Sequence, residues 1–318
     1  MKFLIAGIGS IGTRHLKNLV SLGEKDIILF RTKNEPSPDY PELPVYTNLD
    51  EALAEKPDAV LVCNPTAFHL DVAIPAAEAG CHLFIEKPLS HSWDRVPELL
   101  ELVKKNNLVT QIGYHLRFDG GLKSTKYVIE ATSDKVRHMV AYCGQYLPDW
   151  HPDEDYRQGV SALKSMGGGV INDLSHEIDY AMWFLGKPKS VYCVARKLSN
   201  LEIETEDVAS IILNFKKAIC SINLDYLRET KVRHSWFTGE KGSMLWFEGS
   251  KKEEPLLCEL TPEENNERYL AELEHFIENV SGDEDERVLN CDVFQGAEVL
   301  KVILAAKESV ATGKVVNL

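Results

Sequence analysis

Hydrophobic positions in the first third of the chain fall in short unbroken runs, each closed by a polar or glycine-rich step. KFLIAG (2–7), DIILF (26–30), AVLVC (59–63), HLFIE (82–86) and LVTQIGY (108–114) read as buried strands. Between them the spacing turns helical: Leu16, Leu19 and Val20 ahead of Gly23, then LDEALAEK (49–56), DVAIPAAEAG (71–80) and WDRVPELLELVKK (93–105). Continuous apolar strands alternating with helices of about three turns predict a parallel sheet covered on both faces, an α/β fold.

The pattern changes after Phe118-Asp119-Gly120-Gly121. Strand-like stretches now follow one another: VRHMVAYC (136–143), KSVYCVARKL (189–198), VASIILNF (208–215), AICSINLDYL (218–227) and RHSWFTGEKGSMLWF (233–247). Several alternate apolar and polar residues, which predicts an antiparallel sheet with one face open to a partner. One helix is expected near 171–185 and two more at the end of the chain. Thr261-Pro262-Glu263-Glu264 caps the first of these, with proline at its first helical position. Its apolar stripe is Leu270, Leu273, Ile277 and Val280, and the acidic GDEDE (282–286) beyond it reads as a solvated turn. The last runs from about Asp292 to Thr312, before Gly313. Two domains follow from this change of pattern, 1–118 and 119–318.

Composition removes several classes of function. The 318 residues are 44% hydrophobic and 26% charged, as in an ordinary globular protein. The formal charge is −14, with 35 basic and 49 acidic side chains, so no nucleic-acid partner is expected. No apolar run approaches about 18 residues, which argues against a membrane span. MKFLIAGIGS runs straight into glycines and reads as a first strand, not a signal peptide. Seven scattered cysteines without a CxxC pair fit buried reduced thiols in a cytoplasmic protein, with no disulfide and no metal site.

Gly7-Ile8-Gly9-Ser10-Ile11-Gly12 matches G-x-G-x-x-G. The motif is weak alone, but here it follows a strand and opens a helix in the first βαβ unit, where glycines admit a pyrophosphate to the helix N-terminus. An NAD-type fold usually has an acid at the end of the second strand. This chain has Arg31-Thr32-Lys33 there, a set that suits a 2′-phosphate or is simply a surface loop. NADP is therefore the expected cofactor, with NAD possible.

These residues lie within a wider pattern. GIGSIGTRHL (7–16), CNPTAFH (63–69), FIEKPLS (84–90), GYHLRF (113–118), GGGVINDLSHEID (167–179) and AAKESVATGKVV (305–316) together resemble the Gfo/Idh/MocA oxidoreductases over essentially the whole chain. The resemblance implies a Rossmann NAD(P)-binding domain over 1–118. It implies a substrate-binding and oligomerisation domain over 119–318, with an open, mostly antiparallel sheet through which a homodimer or homotetramer forms. GQYLPDWHPDEDYRQGVSA (144–162) further resembles a subgroup serving bacterial surface-sugar pathways, including sialic-acid-like sugars.

Ligands of a Rossmann fold bind beyond the carboxyl ends of its strands, where Asn64-Pro65 and Glu86-Lys87-Pro88 stand. His69 closes the first of these motifs and is counted with the cofactor residues. By the resemblance, Lys87 points at the reacting hydroxyl or carbonyl. A neighbouring cationic nicotinamide would lower its proton affinity, so that it donates to the oxygen or helps move the proton. Glu86 is expected to hold it, and Pro88 to stiffen the turn. On EKP alone a surface salt bridge at a strand end is the competing reading.

Gly167-Gly168-Gly169 is expected to let backbone approach a ligand and to open a helix. Asp173 and His176, three apart, are expected on one helical face. His176 is the natural general acid/base, since an imidazole titrates near neutrality, and Asp173 its supporting carboxylate. Many family members carry the aspartate one residue earlier, where this chain has Asn172, so Asp179 is the alternative orienting group or a structural cap. Substrate contacts are sought in Tyr146, Trp150, His151, Asp155, Tyr156 and Arg157, where aromatic faces, a cation and an acid suit a sugar ring; a packed loop is the alternative. Arg117 and Phe118 either support the cofactor cleft or pack a hinge.

The function these features imply is hydride transfer between a nicotinamide and a secondary alcohol or ketone of a small sugar, sugar nucleotide or cyclitol. An NAD-dependent glycosidase using transient oxidation, or a non-catalytic cofactor-binding sensor, are the alternatives.

Overall fold

A computed structural model describes residues 1–132, 135–248, 262–282 and 291–318. The chain divides into two compact units, residues 1–115 with 266–297, and residues 116–265 with 298–318. The expected domains, 1–118 and 119–318, differ from these units chiefly in the return of 266–297 to the first. Thr261 and residues 283–286 of the GDEDE turn lie outside the described residues.

The first unit alternates as its pattern predicts. It runs through β1 (Lys2–Ala6), α1 (Ser10–Ser21), β2 (Asp26–Phe30), β3 (Val45–Tyr46), α2 (Leu49–Ala54), β4 (Ala59–Val62), α3 (His69–Glu78), β5 (His82–Ile85), α4 (Val96–Lys105) and β6 (Thr110–Ile112). All six strands are parallel in the order β3-β2-β1-β4-β5-β6, the Rossmann arrangement, whose strand order reverses between β1 and β4. The two-residue β3 carries no pattern of its own.

Phe3, Ile5, Ile27, Leu29, Leu61 and Phe84 fill the core of this unit with Leu16 and Leu19 of α1. The later stretch joins the same core: Leu273 and Phe276 are fully buried in it, and Phe276 meets Phe84 edge to face at 5.8 Å. Burying each such side chain stabilises the fold by about 1.5–3 kcal/mol, which accounts for the return of the chain to the first unit.

In the second unit α5 (Gly120–Ala131) precedes β7 (His138–Gly144), and α6 (Val170–Asp173) and α7 (His176–Leu185) precede β8 (Ser190–Arg196), β9 (Val208–Asn214), β10 (Ile219–Asp225), β11 (Val232–Thr238) and β12 (Ser243–Phe247). The chain closes with α8 (Pro262–Ser281), α9 (Val293–Thr312) and β13 (Val316–Asn317). The sheet order is β12-β11-β7-β10-β9-β8-β13. It is mixed: β7 and β10 pair in parallel and the other neighbours are antiparallel. The alternation does its expected work, since Ala209, Ile211, Leu213, Cys220, Ile222 and Leu224 point into the core.

The single helix expected near 171–185 is two. Leu174 and Ser175 form a turn between α6 and α7, so Asp173 ends one helix and His176 begins the next. They do not share a helical face. Six cysteines lie in the described residues, all buried and unbridged. No helix among the described residues is long and apolar enough to cross a membrane.

Candidate active site

The first unit assembles its candidates at the carboxyl edge of the parallel sheet. Gly7 leaves β1 with φ +94°, and a Cβ there would lie 2.7 Å from the Asn64 nitrogen. At Gly12 a Cβ would meet the Gly7 oxygen at 1.9 Å. These two glycines are thus demanded by the protein itself. Gly9 is different, because a Cβ there meets nothing within 4 Å. It is the N-cap of α1, with no side-chain cap and no acid in the first turn. Open space before such a helix end fits a pyrophosphate. Ser10 is exposed there, whereas Ile11 packs against the core.

Asn64 and Pro65 follow β4 and lead into a short turn at Thr66–Phe68. The Asn64 amide donates to the Phe68 carbonyl at 2.8 Å. Its Oδ1 is buried without a hydrogen-bond partner among the described residues, an acceptor that fits a carboxamide donor. His69 lies between main chains, with Nε2 3.0 Å from the Asn64 oxygen and Nδ1 3.0 Å from the Pro88 oxygen. Burial lowers its proton affinity, and the nearby Glu86 charge and these carbonyls only partly restore it.

Glu86 holds Lys87 through the main chain: its Oε2 accepts from the Lys87 nitrogen at 3.2 Å. Its Oε1 meets Nε2 of His15 at 2.7 Å. Burial alone would raise the Glu86 carboxyl, but the His15 hydrogen bond and the charges of His15 and Lys87 outweigh it and hold the group below its ordinary range. Gly113 makes room for this carboxylate, since a Cβ there would sit 3.0 Å from Oε1. The Lys87–Pro88 peptide is cis.

Arg31 turns back on its own loop. It donates to the Glu35 carbonyl at 2.7 Å and lies 3.8 Å from the Glu35 carboxylate. Thr32 and Lys33 are exposed.

In the second unit, Asp173 accepts from the Tyr226 hydroxyl at 2.6 Å. Trp150 meets the Tyr226 ring edge to face at 5.4 Å, so this candidate substrate residue and the candidate carboxylate share one partner. Burial, and then the Asp173 charge, push the Tyr226 hydroxyl well above its usual range. Asn172 is buried and its amide donates to the Gly167 oxygen at 2.6 Å. The triple glycine admits protein: a Cβ on Gly168 would strike the Val160 oxygen at 2.1 Å, and one on Gly169 the Glu206 carboxylate at 2.5 Å. These glycines were expected to admit a ligand.

The Asp179 carboxylate is held by Arg117. The guanidinium reaches it twice, at 3.0 and 2.7 Å, and both side chains are buried. His176 is buried at the start of α7, and Glu177 beside it lies 2.9 Å from Arg233. Arg157 is exposed and bound by Asp155 at 2.8 Å and Glu202 at 3.2 Å. The Tyr156 hydroxyl accepts from the Glu202 nitrogen at 3.3 Å. Tyr146 and His151 are exposed.

His15, Gly113 and Tyr226 stand outside the sequence-derived set, and two carried a signal. His15 lies on the buried stripe of α1 with Leu16 and Leu19, a polar residue where the period calls for an apolar one. Tyr226 continues the inward series Cys220, Ile222, Leu224 one step past the end of β10.

A family model described as "Oxidoreductase family, NAD-binding Rossmann fold" matches residues 1–114, and the GFO/IDH/MocA C-terminal domain matches residues 130–245. The chain belongs to the Gfo/Idh/MocA oxidoreductase family. Within this family it is 29% identical to the uncharacterized oxidoreductase YrbE of Bacillus subtilis, over 69% of this chain and 64% of that protein. It thus spans slightly under two thirds of that relative. It is 27% identical to a Thermotoga maritima myo-inositol 2-dehydrogenase, over 100% of this chain and 98% of the relative. The fold superposes on the WlbA dehydrogenase of Bordetella pertussis, solved in complex with NADH and UDP-GlcNAcA, with TM-score 0.83, 21% identity, and coverage of 100% and 98%.

Proposed function

We propose that this chain is a nicotinamide-dependent dehydrogenase or reductase acting on a secondary alcohol or ketone of a sugar, sugar nucleotide or cyclitol. The observation that carries the reading is the Lys87 main chain, fixed by Glu86 just beyond β5, one strand over from Asn64 and two from the open Gly9. Family membership, the inositol-acting relative and the fold shared with a sugar-nucleotide dehydrogenase support it.

When bound, the nicotinamide gives or takes the hydride. Gly9 and the first turn of α1 would hold the pyrophosphate, and Asn64 and Pro65 would hold the nicotinamide. Lys87 donates a hydrogen bond to the reacting oxygen, stabilising the charge that develops there. His176 takes the hydroxyl proton during oxidation and returns it during reduction. Asp173, held by Tyr226, is the supporting carboxylate. Trp150 shares Tyr226 with it and contacts the substrate there, while Tyr146, His151, Tyr156 and Arg157 form the outer rim.

Arg31, Thr32 and Lys33 favour the 2′-phosphate of NADP. We further place the protein in the cytoplasm as a homodimer or homotetramer. Support for self-association comes from one register row on the open face of the second sheet, where Tyr192, Ile212, Trp236 and Leu245 are exposed with Val140 and Ser221 between them.

The test is a spectrophotometric screen of NADP and NAD against sugars, sugar nucleotides and cyclitols, run with Lys87→Met beside the native protein. Cofactor reduction that the variant loses by orders of magnitude is expected. Substrate cleavage without net reduction would replace the reading with a glycosidase, and equal use of both cofactors would end the NADP preference.

A further inference from the structure

His69 opens α3 and is almost fully buried, yet its ring serves main chain on both sides. Nε2 lies 3.0 Å from the Asn64 oxygen, in the loop that leaves β4. Nδ1 lies 3.0 Å from the Pro88 oxygen and 3.4 Å from that of Leu89, in the turn that leaves β5. The last ladder bond between these two strands runs from the Glu86 nitrogen to the Val62 oxygen at 2.9 Å. Beyond it the chains part, and the imidazole spans the gap.

We propose that His69 is a positioning residue that couples the Asn64 loop to the Lys87 turn, so that a nicotinamide cofactor seated against the first loop fixes the lysine carried by the second. The functional weight of this coupling rests on the roles proposed above for Asn64 and Lys87. The geometry stands without them. Lys87 is gripped on both flanks, at its own nitrogen by Glu86 and at the next carbonyl by His69. A neutral imidazole has one N–H and serves one carbonyl at a time, by exchange of tautomers, while the imidazolium serves both. An apolar side chain of similar size serves neither. Both ring nitrogens face main-chain carbonyls at 3.0 Å, so in this proposal His69 supports the cofactor contacts.

Two substitutions separate the two bonds. His69→Asn places an amide near the position of Nδ1, and His69→Gln near that of Nε2. Amide hydrogen exchange followed by mass spectrometry reads the two segments, and NADH fluorescence reads cofactor affinity. In His69→Asn, residues 63–68 are expected to exchange about ten-fold faster and NADH to bind about ten-fold more weakly, with 86–92 unchanged. In His69→Gln, residues 86–92 are expected to exchange faster while NADH affinity stays within about two-fold. In His69→Leu, NADH is expected to lose its protection of 86–92. Identical behaviour of the Asn and Gln variants, or full protection of 86–92 by NADH in His69→Leu, overturns the coupling. If His69→Leu does not fold, the Asn and Gln pair still decides. Lys87→Met tests the other premise: if it keeps hydride transfer, the role of Lys87 is wrong, whereas the exchange pattern still reports on His69.

Discussion

Nε2 of His15 stands 2.7 Å from Oε1 of Glu86, joining the buried stripe of α1 to the residue that holds the main chain of Lys87. Replacing His15 by leucine leaves that carboxylate buried without its strongest neighbour. Uncompensated buried charges cost about 3–5 kcal/mol, so His15→Leu should lower the melting temperature well beyond an ordinary surface substitution. The pair also sets an acid limit. The Glu86 carboxyl is depressed in the folded state, so its contribution is fully present above the unfolded carboxylate value of 4.5 and is lost as pH falls through the folded value. Melting curves of Glu86→Gln should therefore be lower near neutrality and less steep in their fall below pH 4.5 than those of the native protein.

The three glycines of the first loop divide by what they touch. Gly12→Ala forces a Cβ onto the Gly7 oxygen and should destabilise the fold by about 1–3 kcal/mol. Gly9→Ala meets no protein atom and should leave the melting temperature close to native while weakening NADH binding about ten-fold or more. Calorimetry and fluorescence titration on the same two variants separate these effects. A Gly9→Ala protein that binds NADH as well as native would remove the pyrophosphate from this loop.

Much of this arrangement is legible in the sequence. Continuous apolar runs expose the parallel strands because both faces of such a sheet are buried, and alternation exposes the second sheet because one face is open. The turn carrying Lys87 and the loop carrying Asn64 are found because strand ends can be located from pattern. What pattern cannot supply is which side chain meets which. Glu86 was expected to hold Lys87, but its bond goes to the backbone nitrogen and its second oxygen goes to His15, 71 positions earlier. Spacing placed Asp173 and His176 on one face, and a two-residue turn at Leu174-Ser175 breaks the helix between them. A three-residue spacing implies a shared face only while the helix continues.

Tyr226 deserves to be tested as the group that holds Asp173. Tyr226→Phe removes the hydroxyl donated at 2.6 Å and keeps the ring that packs on Trp150. Loss of one hydrogen bond to a charged group costs about 1.5–3 kcal/mol. If Asp173 supports the proton transfer, kcat should fall about ten-fold with KM nearly constant, and Asp173→Asn in the same background should add little. Full additivity of the two substitutions in a double-mutant cycle would show that the hydroxyl and the carboxylate act separately.

Arg117 separates a structural ion pair from a substrate contact. Its guanidinium makes two bonds to Asp179 and both side chains are buried, so Arg117→Leu or Asp179→Leu alone leaves a buried charge and should cost about 3–5 kcal/mol. The double variant Arg117→Leu/Asp179→Leu leaves no such charge. It should recover most of the lost stability, because two apolar side chains of similar bulk often replace a buried pair at little cost. If the pair serves only the fold, the recovered double variant should also retain KM and kcat near native. A double variant that regains its melting temperature but not its KM would instead return Arg117 to the substrate, through a contact made only when that substrate is bound.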